Sequence, residues 1–107
     1  MASRSFFITS KAQADIDETL EYISTVLSNP FAAKALLVSI EKKINNILAF
    51  PLSYPSIDNL FVKKQNVRKV VIKSYILYYL YDEENDSVYI LRLLYGKRNL
   101  DEIIKEL

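Results

Sequence analysis

Two stretches of helical periodicity meet at Ser28-Asn29-Pro30, and this stop-and-restart signal constrains the fold more than any other feature of the chain. Before it, Ala12, Ile16, Leu20, Ile23 and Leu27 recur at the spacing of one helix face. After it, Ala33, Leu36, Leu37, Ile40, Ile44, Ile47 and Leu48 do the same. Asn29 is a strong N-cap, and Pro30 is tolerated at the first helical position, where its missing N–H has no intrahelical acceptor to lose. Pro51 and Pro55 end the second helix after about Ala49. Two amphipathic helices joined so tightly lie antiparallel, as a hairpin over Ser10 to Ala49 whose apolar face needs a second layer.

The rest of the chain supplies that layer. Ser5 to Thr9 reads as a first strand, and Ser10-Lys11-Ala12-Gln13 has the capping-box pattern, with Ser10 as cap and Gln13 reaching back. Val67 to Ile72, Tyr75 to Asp82 and Ser87 to Tyr95 are rich in Val, Ile and Tyr, which suit a pleated surface. Lys73-Ser74 and Glu83-Glu84-Asn85-Asp86 form the turns of an antiparallel meander. Leu100 to Leu107 reads as a last helix, capped by Asn99, with Ile103, Ile104 and Leu107 on its apolar side. The expected fold class is α+β: an N-terminal strand and an antiparallel helical hairpin on a small antiparallel sheet, in the order β-α-α-β-β-β-α. Residues 1–107 form a single domain on this reading, since 107 residues suffice for one core and not for two.

Composition excludes several chemistries. There is no Cys and no His, which removes disulfide scaffolds, thiol catalysis, Ser-His-Asp triads and Cys-based zinc sites. The single glycine, Gly96, cannot form a phosphate-binding glycine loop. The acids Asp82, Glu83, Glu84 and Asp86 read as a solvated hairpin tip, so no metal and no cofactor are expected. No apolar run approaches the roughly 20 residues that span a bilayer, and the N-terminus turns polar too early for a signal peptide. A cytoplasmic protein, with neither membrane nor small-molecule partner, is the expectation.

The formal net charge is only +1, yet the charges are sorted along the chain. Residues 59–81 hold Lys63, Lys64, Arg68, Lys69 and Lys73 without an acid. Arg92, Lys97 and Arg98 form a second basic group. Alternation puts Lys69 and Lys73 on one strand face and Arg68 on the other, with Val70 and Ile72. It also puts Tyr75, Leu77, Tyr79 and Tyr81 opposite Ile76, Tyr78 and Leu80. Arg92 interrupts an apolar strand, on the face of Val88, Ile90 and Leu94, where a charge must be paired or open to a ligand. Such a surface serves either as a protected sheet edge or as a platform for an anionic partner.

Ile8-Thr9-Ser10-Lys11-Ala12-Gln13-Ala14-Asp15-Ile16, then Asn29-Pro30-Phe31-Ala32-Ala33, Phe50-Pro51 and Ile90-Leu91-Arg92-Leu93-Leu94-Tyr95-Gly96-Lys97-Arg98-Asn99 follow in order. Together they resemble the RelE/ParE superfamily of bacterial type II toxins, formerly grouped as plasmid stabilisation proteins, over nearly the whole chain. The resemblance implies a helical hairpin on an antiparallel sheet and growth arrest that a cognate antitoxin blocks. It also implies one of two targets, between which the fold does not choose. RelE-like members cut messenger RNA on the ribosome, whereas ParE-like members poison DNA gyrase without catalysing a reaction.

RelE-like cleavage, in which the 2′-OH attacks its own phosphate, uses Lys, Arg and Tyr for the base, the acid and the stabilising cations. Of that set, Lys69 and Arg98 are matched here. The second strand Lys falls at Val71, the strand Arg at Ile76, and the C-terminal Tyr at Ile104 or its neighbours. The resemblance therefore implies ParE-like gyrase inhibition first. An mRNA endoribonuclease with Lys69 and Arg98 catalytic is the alternative, and an inactive relative acting as a binding partner is the second. Arg68, Lys73, Arg92 and Lys97 are the expected target contacts, and Lys63, Lys64 and Lys69 the expected antitoxin contacts.

Overall fold

The computed structural model describes residues 4–56 and 67–96. Its elements are β1 (Ser5–Ile8), α1 (Ser10–Glu21), a π-helical turn (Tyr22–Val26), α2 (Pro30–Ala49), β2 (Val67–Ile72), β3 (Tyr75–Asp82) and β4 (Ser87–Tyr95). The α+β order is the expected one, and the final helix expected over Leu100 to Leu107 lies outside the described residues. Asn29 caps α2 through Oδ1, which accepts from the Ala32 amide at 3.0 Å. Each of Leu36, Ile40, Ile44 and Ile47 is buried from α2, and full burial of such a side chain stabilises by about 1.5–3 kcal/mol.

The sheet order is β1-β4-β3-β2. β2, β3 and β4 form the antiparallel meander. β1 pairs parallel to β4, from Ser5 opposite Ser87 to Ile8 opposite Ile90. The sheet is therefore mixed, not wholly antiparallel. Alternation within four residues carries no direction; here the ladder runs on into the cap of α1. The Thr9 amide donates to the Ile90 carbonyl at 3.0 Å, and Thr9 Oγ1 donates to the Leu91 carbonyl at 3.1 Å.

That arrangement also moves the helix cap. Thr9, not Ser10, caps α1, its Oγ1 accepting from the Ala12 amide at 3.1 Å. Gln13 does not reach back; its side chain donates to Asp17 at 2.9 Å. At the other end of α1, the Leu27 amide bonds the Tyr22 carbonyl, five residues back, at 3.1 Å. This extra residue per turn rotates the apolar stripe, so Ala12, Ile16 and Ile23 are buried while Leu27 is exposed. Ser28, at φ +51°, then reverses the chain.

The hairpin covers one sheet face. Val70, Ile72, Leu77, Tyr79, Tyr81, Val88, Ile90 and Leu93 join its core. On the opposite face Tyr78 and Leu94 are buried with Ile76 and Leu91 packed beside them. The two sets follow the expected alternation in β3 but not in β4, because the register slips between Tyr78 and Tyr79: Tyr78 stands opposite Arg92 and Tyr79 opposite Ile90. A β-bulge at Leu91 is the cause. Arg92 thus does not share a face with Val88 and Ile90, as strict alternation predicts.

Candidate functional site

The basic residues of the sheet divide by what holds them. Arg68 lies on the hairpin side, where its guanidinium donates to the Tyr54 carbonyl at 2.6 Å and the Leu52 carbonyl at 3.4 Å. It staples the chain after α2 to β2. Arg92 is clasped by Asp15 of α1: Nε donates to Oδ2 at 2.7 Å and NH2 to Oδ1 at 3.1 Å. The same Oδ2 accepts the Leu93 amide at 3.0 Å. Beyond Ile90, β1 no longer covers β4, so Thr9 and Asp15 take over its free edge. The two side chains of the pair are 15% and 12% exposed, so this fork is largely withdrawn from water.

Lys69 and Lys73 are exposed. Lys69 stands opposite Tyr78 in the ladder, and Tyr78 opposite Arg92, which makes a cross-strand row of cation, phenol and cation. Tyr78 is 1% exposed and its hydroxyl has no hydrogen-bond partner among the described residues. Burial raises its phenol above the ordinary range. Lys73 sits in the β2–β3 turn at φ +55°. With Val71, Ser74, Tyr75, Ile76 and Tyr95 it rims a concavity of about 230 Å³. Gly96 closes this hollow by donating its amide to the Ser74 carbonyl at 2.8 Å; a Cβ there would stand 3.2 Å from that oxygen, a tight fit against backbone. Lys63, Lys64, Lys97 and Arg98 lie outside the described residues.

The floor of the hollow is apolar. Val71 and Ile76 face each other across β2 and β3, and Val71 is 62% exposed. The acidic hairpin tip is organised by its own bonds. Asp82 accepts from the Asn85 side chain at 2.7 Å and from the amides of Glu84 and Asn85, and these bonds, the Asn85 side chain foremost, lower its carboxyl. Asp86 takes the Tyr81 hydroxyl at 2.7 Å and pairs with Arg4 at 2.8 Å. Among the described residues no group of carboxylates converges as a metal site.

Asp15 is a residue to which the sequence assigned no role of its own, since it stood only within the run from Ile8 to Ile16. Its signal was position: it follows Ala12 by three residues, on the flank of the α1 stripe, where an acid meets the sheet instead of water.

Residues 6–100 match the model of the ParE toxin of type II toxin–antitoxin systems, parDE. The chain belongs to the ParE toxin family. No curated protein matches it in sequence. Among solved structures, it is similar to a chain of the chromosomal ParDE toxin–antitoxin system from P. aeruginosa, with a TM-score of 0.69 at 18% identity, covering 89% of this chain and 98% of the other. It is also similar to the isolated RelE toxin of E. coli, at a TM-score of 0.58 and 13% identity over 97% and 98% of the two chains. The RelBE2 toxin–antitoxin complex of Mycobacterium tuberculosis gives 0.55 and 17% over 88% and 99%. At these identities the likeness is one of fold. The helical hairpin on the sheet is that fold. No helix among the described residues is long and apolar enough to cross a membrane.

Proposed function

We propose that this toxin arrests growth by inhibiting DNA gyrase, without catalysing RNA cleavage. The observation that carries this reading is the Val71–Ile76 pair across β2 and β3. RNA cleavage through the 2′-OH needs a base, an acid and cations around one phosphate. At the two strand positions where the ribonuclease branch places a Lys and an Arg, this chain puts two apolar side chains facing one another. Arg92 is taken up by Asp15, and the chain has no His or Cys to substitute. A protein-binding toxin needs no such constellation; it needs exposed apolar and basic surface, which Val71, Tyr95, Lys69 and Lys73 provide.

Within this reading, Lys97 and Arg98, which follow Gly96 in the sequence, contact the target together with Lys73. A cognate antitoxin silences the toxin, as the toxin–antitoxin complexes among its structural neighbours support. Acidic antitoxin residues complement Lys63, Lys64 and Lys69, speeding and orienting association, while apolar anchors supply most of the affinity. Purified toxin is expected to block gyrase supercoiling in vitro and to leave translated RNA whole. Arg98→Ala should abolish the block with the fold intact. Ribosome-dependent cleavage lost in both Lys69→Ala and Arg98→Ala would overturn the proposal in favour of the endoribonuclease. Absence of both activities would mark an inactive relative.

A further inference from the structure

A second, larger cavity lies at the opposite side of Tyr75 and Tyr95 from the hollow, between the C-terminal half of α1, the π-helical turn and the end of the meander. Its volume is about 550 Å³, within the usual range for ligand sites. Three phenol rings line it: Tyr22 from the π-helical turn, Tyr75 from β3 and Tyr95 from β4. Tyr75 and Tyr95 stand edge to face, with ring centroids 5.7 Å apart and planes at 64°. Tyr22 is 51% exposed at the mouth. Burial raises the Tyr75 phenol, and Tyr95 and Tyr22 beside it add to the effect, so the three rings converge on one space.

The charged residues that line this cup are both acidic. Asp15 and Glu18 contribute carboxylates to its wall. Asp15 is neutralised by Arg92, whereas Glu18 is exposed and has no ion-pair partner among the described residues. Between Lys11 and Lys34 the chain holds Asp15, Asp17, Glu18 and Glu21 and no Lys or Arg. An anion is therefore repelled. A cation gains the faces of the tyrosine rings, whose quadrupoles are negative toward it, and the Glu18 carboxylate at the rim. The π-helical turn has a part in this, since Tyr22 at its start stands at the mouth while Leu27 just past its end forms the adjoining wall.

We propose that this cup receives an arginine side chain presented by a protein partner. A planar guanidinium stacks on phenol faces and still offers N–H donors to Glu18, which a compact ammonium does less well. The inference does not rest on gyrase being the target: the cup shares Tyr75 and Tyr95 with the hollow, but Glu18 and Tyr22 belong to the cup alone, and failure there leaves that reading untouched.

The test is a titration of the isotopically labelled full chain with a short acetylated peptide holding one arginine between glycines, followed by amide NMR shifts. Shifts confined to residues around Glu18, Tyr22, Tyr75 and Tyr95 are expected, and the matching citrulline peptide, neutral and of the same shape, should produce none. Tyr22→Leu keeps an apolar side chain without a π face and should weaken binding about two- to fivefold, whereas Tyr22→Phe should leave it unchanged. Glu18→Gln should weaken it up to about fivefold at low salt. Equal binding of the citrulline peptide, or an unchanged titration in Glu18→Gln, would overturn the proposal. So would tighter binding in Arg98→Ala, which would mean that the chain's own tail fills the cup.

Discussion

Tyr78 and Tyr79 are neighbours in β3, both under 2% exposed, and they point to opposite faces of the sheet. On the hairpin side Tyr79 donates its hydroxyl to the Pro51 carbonyl at 2.7 Å and meets Tyr54 edge to face at 6.5 Å. Two residues on, Tyr81 donates to Asp86. Arg68 on that face donates to the Tyr54 carbonyl, although its buried Nε has no partner among the described residues. On the far side Tyr78 keeps a buried hydroxyl with no partner, Val71 is an exposed apolar side chain, and Lys69 stands in solvent. The difference teaches where stability has been optimised and where it has been given up. A buried polar group without a partner is costly, and such groups persist where a surface is shaped for something other than its own fold.

The largest expected effect comes from the clasp that joins the two faces at the β4 edge. Asp15→Ala removes three acceptor contacts, taking from Arg92 its Asp15 carboxylate and from the Leu93 amide its acceptor, so unfolding free energy should fall by about 3 kcal/mol in a denaturant titration. Arg92→Ala should destabilise less, because it leaves the Leu93 amide bonded to Asp15. A loss within about 0.5 kcal/mol for Asp15→Ala would show that the clasp is not a stabilising element.

Next in size is the removal of one oxygen from the hairpin face. Tyr79→Phe strands the Pro51 carbonyl and should lower stability by about 1 kcal/mol. The same residue sets a pH dependence. Burial pushes its phenol up to about 12, against the neighbouring Arg68 charge, which lowers it. The folded chain therefore holds the proton that the unfolded chain releases from about pH 10. The Tyr79 contribution is complete below pH 10 and disappears as pH rises toward 12. Melting temperatures of wild type and Tyr79→Phe measured across that window should converge.

The smallest effect, opposite in sign, is expected one residue away. Tyr78→Phe deletes an orphaned hydroxyl and should be neutral or stabilising, by up to about 1 kcal/mol. If Tyr78→Phe destabilised as much as Tyr79→Phe, the contrast between the two faces would collapse.

Legibility in the sequence followed the range of the interaction. The Asn29 cap acts within three residues and was readable, as were the strands and turns whose chemistry is local. Ser10 and Thr9 are equally good caps by type, and the contact that selects Thr9 is the Leu91 carbonyl, 82 residues away. The direction of β1 depends on the same distant edge. The face of Arg92 could not be read by counting in twos, because one extra residue at Leu91 reverses the parity of everything after it. Of the candidate site, Lys69 and the Val71 and Ile76 positions were named from the resemblance, and Lys73 from the run of basic residues over 59–81. The Asp15 clasp and the tyrosine cup were not, since each assembles residues from α1 with residues from the last strand.

That assembly has a consequence for how the protein is made. β1 leaves the ribosome before its ladder partner β4, which follows only after both helices, β2 and β3, with the Thr9 and Asp15 bonds closing separations of 82 and 78 residues. A nascent chain can form its hairpin early, but the sheet edge stays open until β4 emerges, and such non-local closure is slow. The closed fold is then acquired once β4 has emerged and not by degrees. A frameshift or stop codon ahead of β4 yields no weakened toxin, only a chain that never closes, and the interval before closure gives an antitoxin already present time to meet its partner.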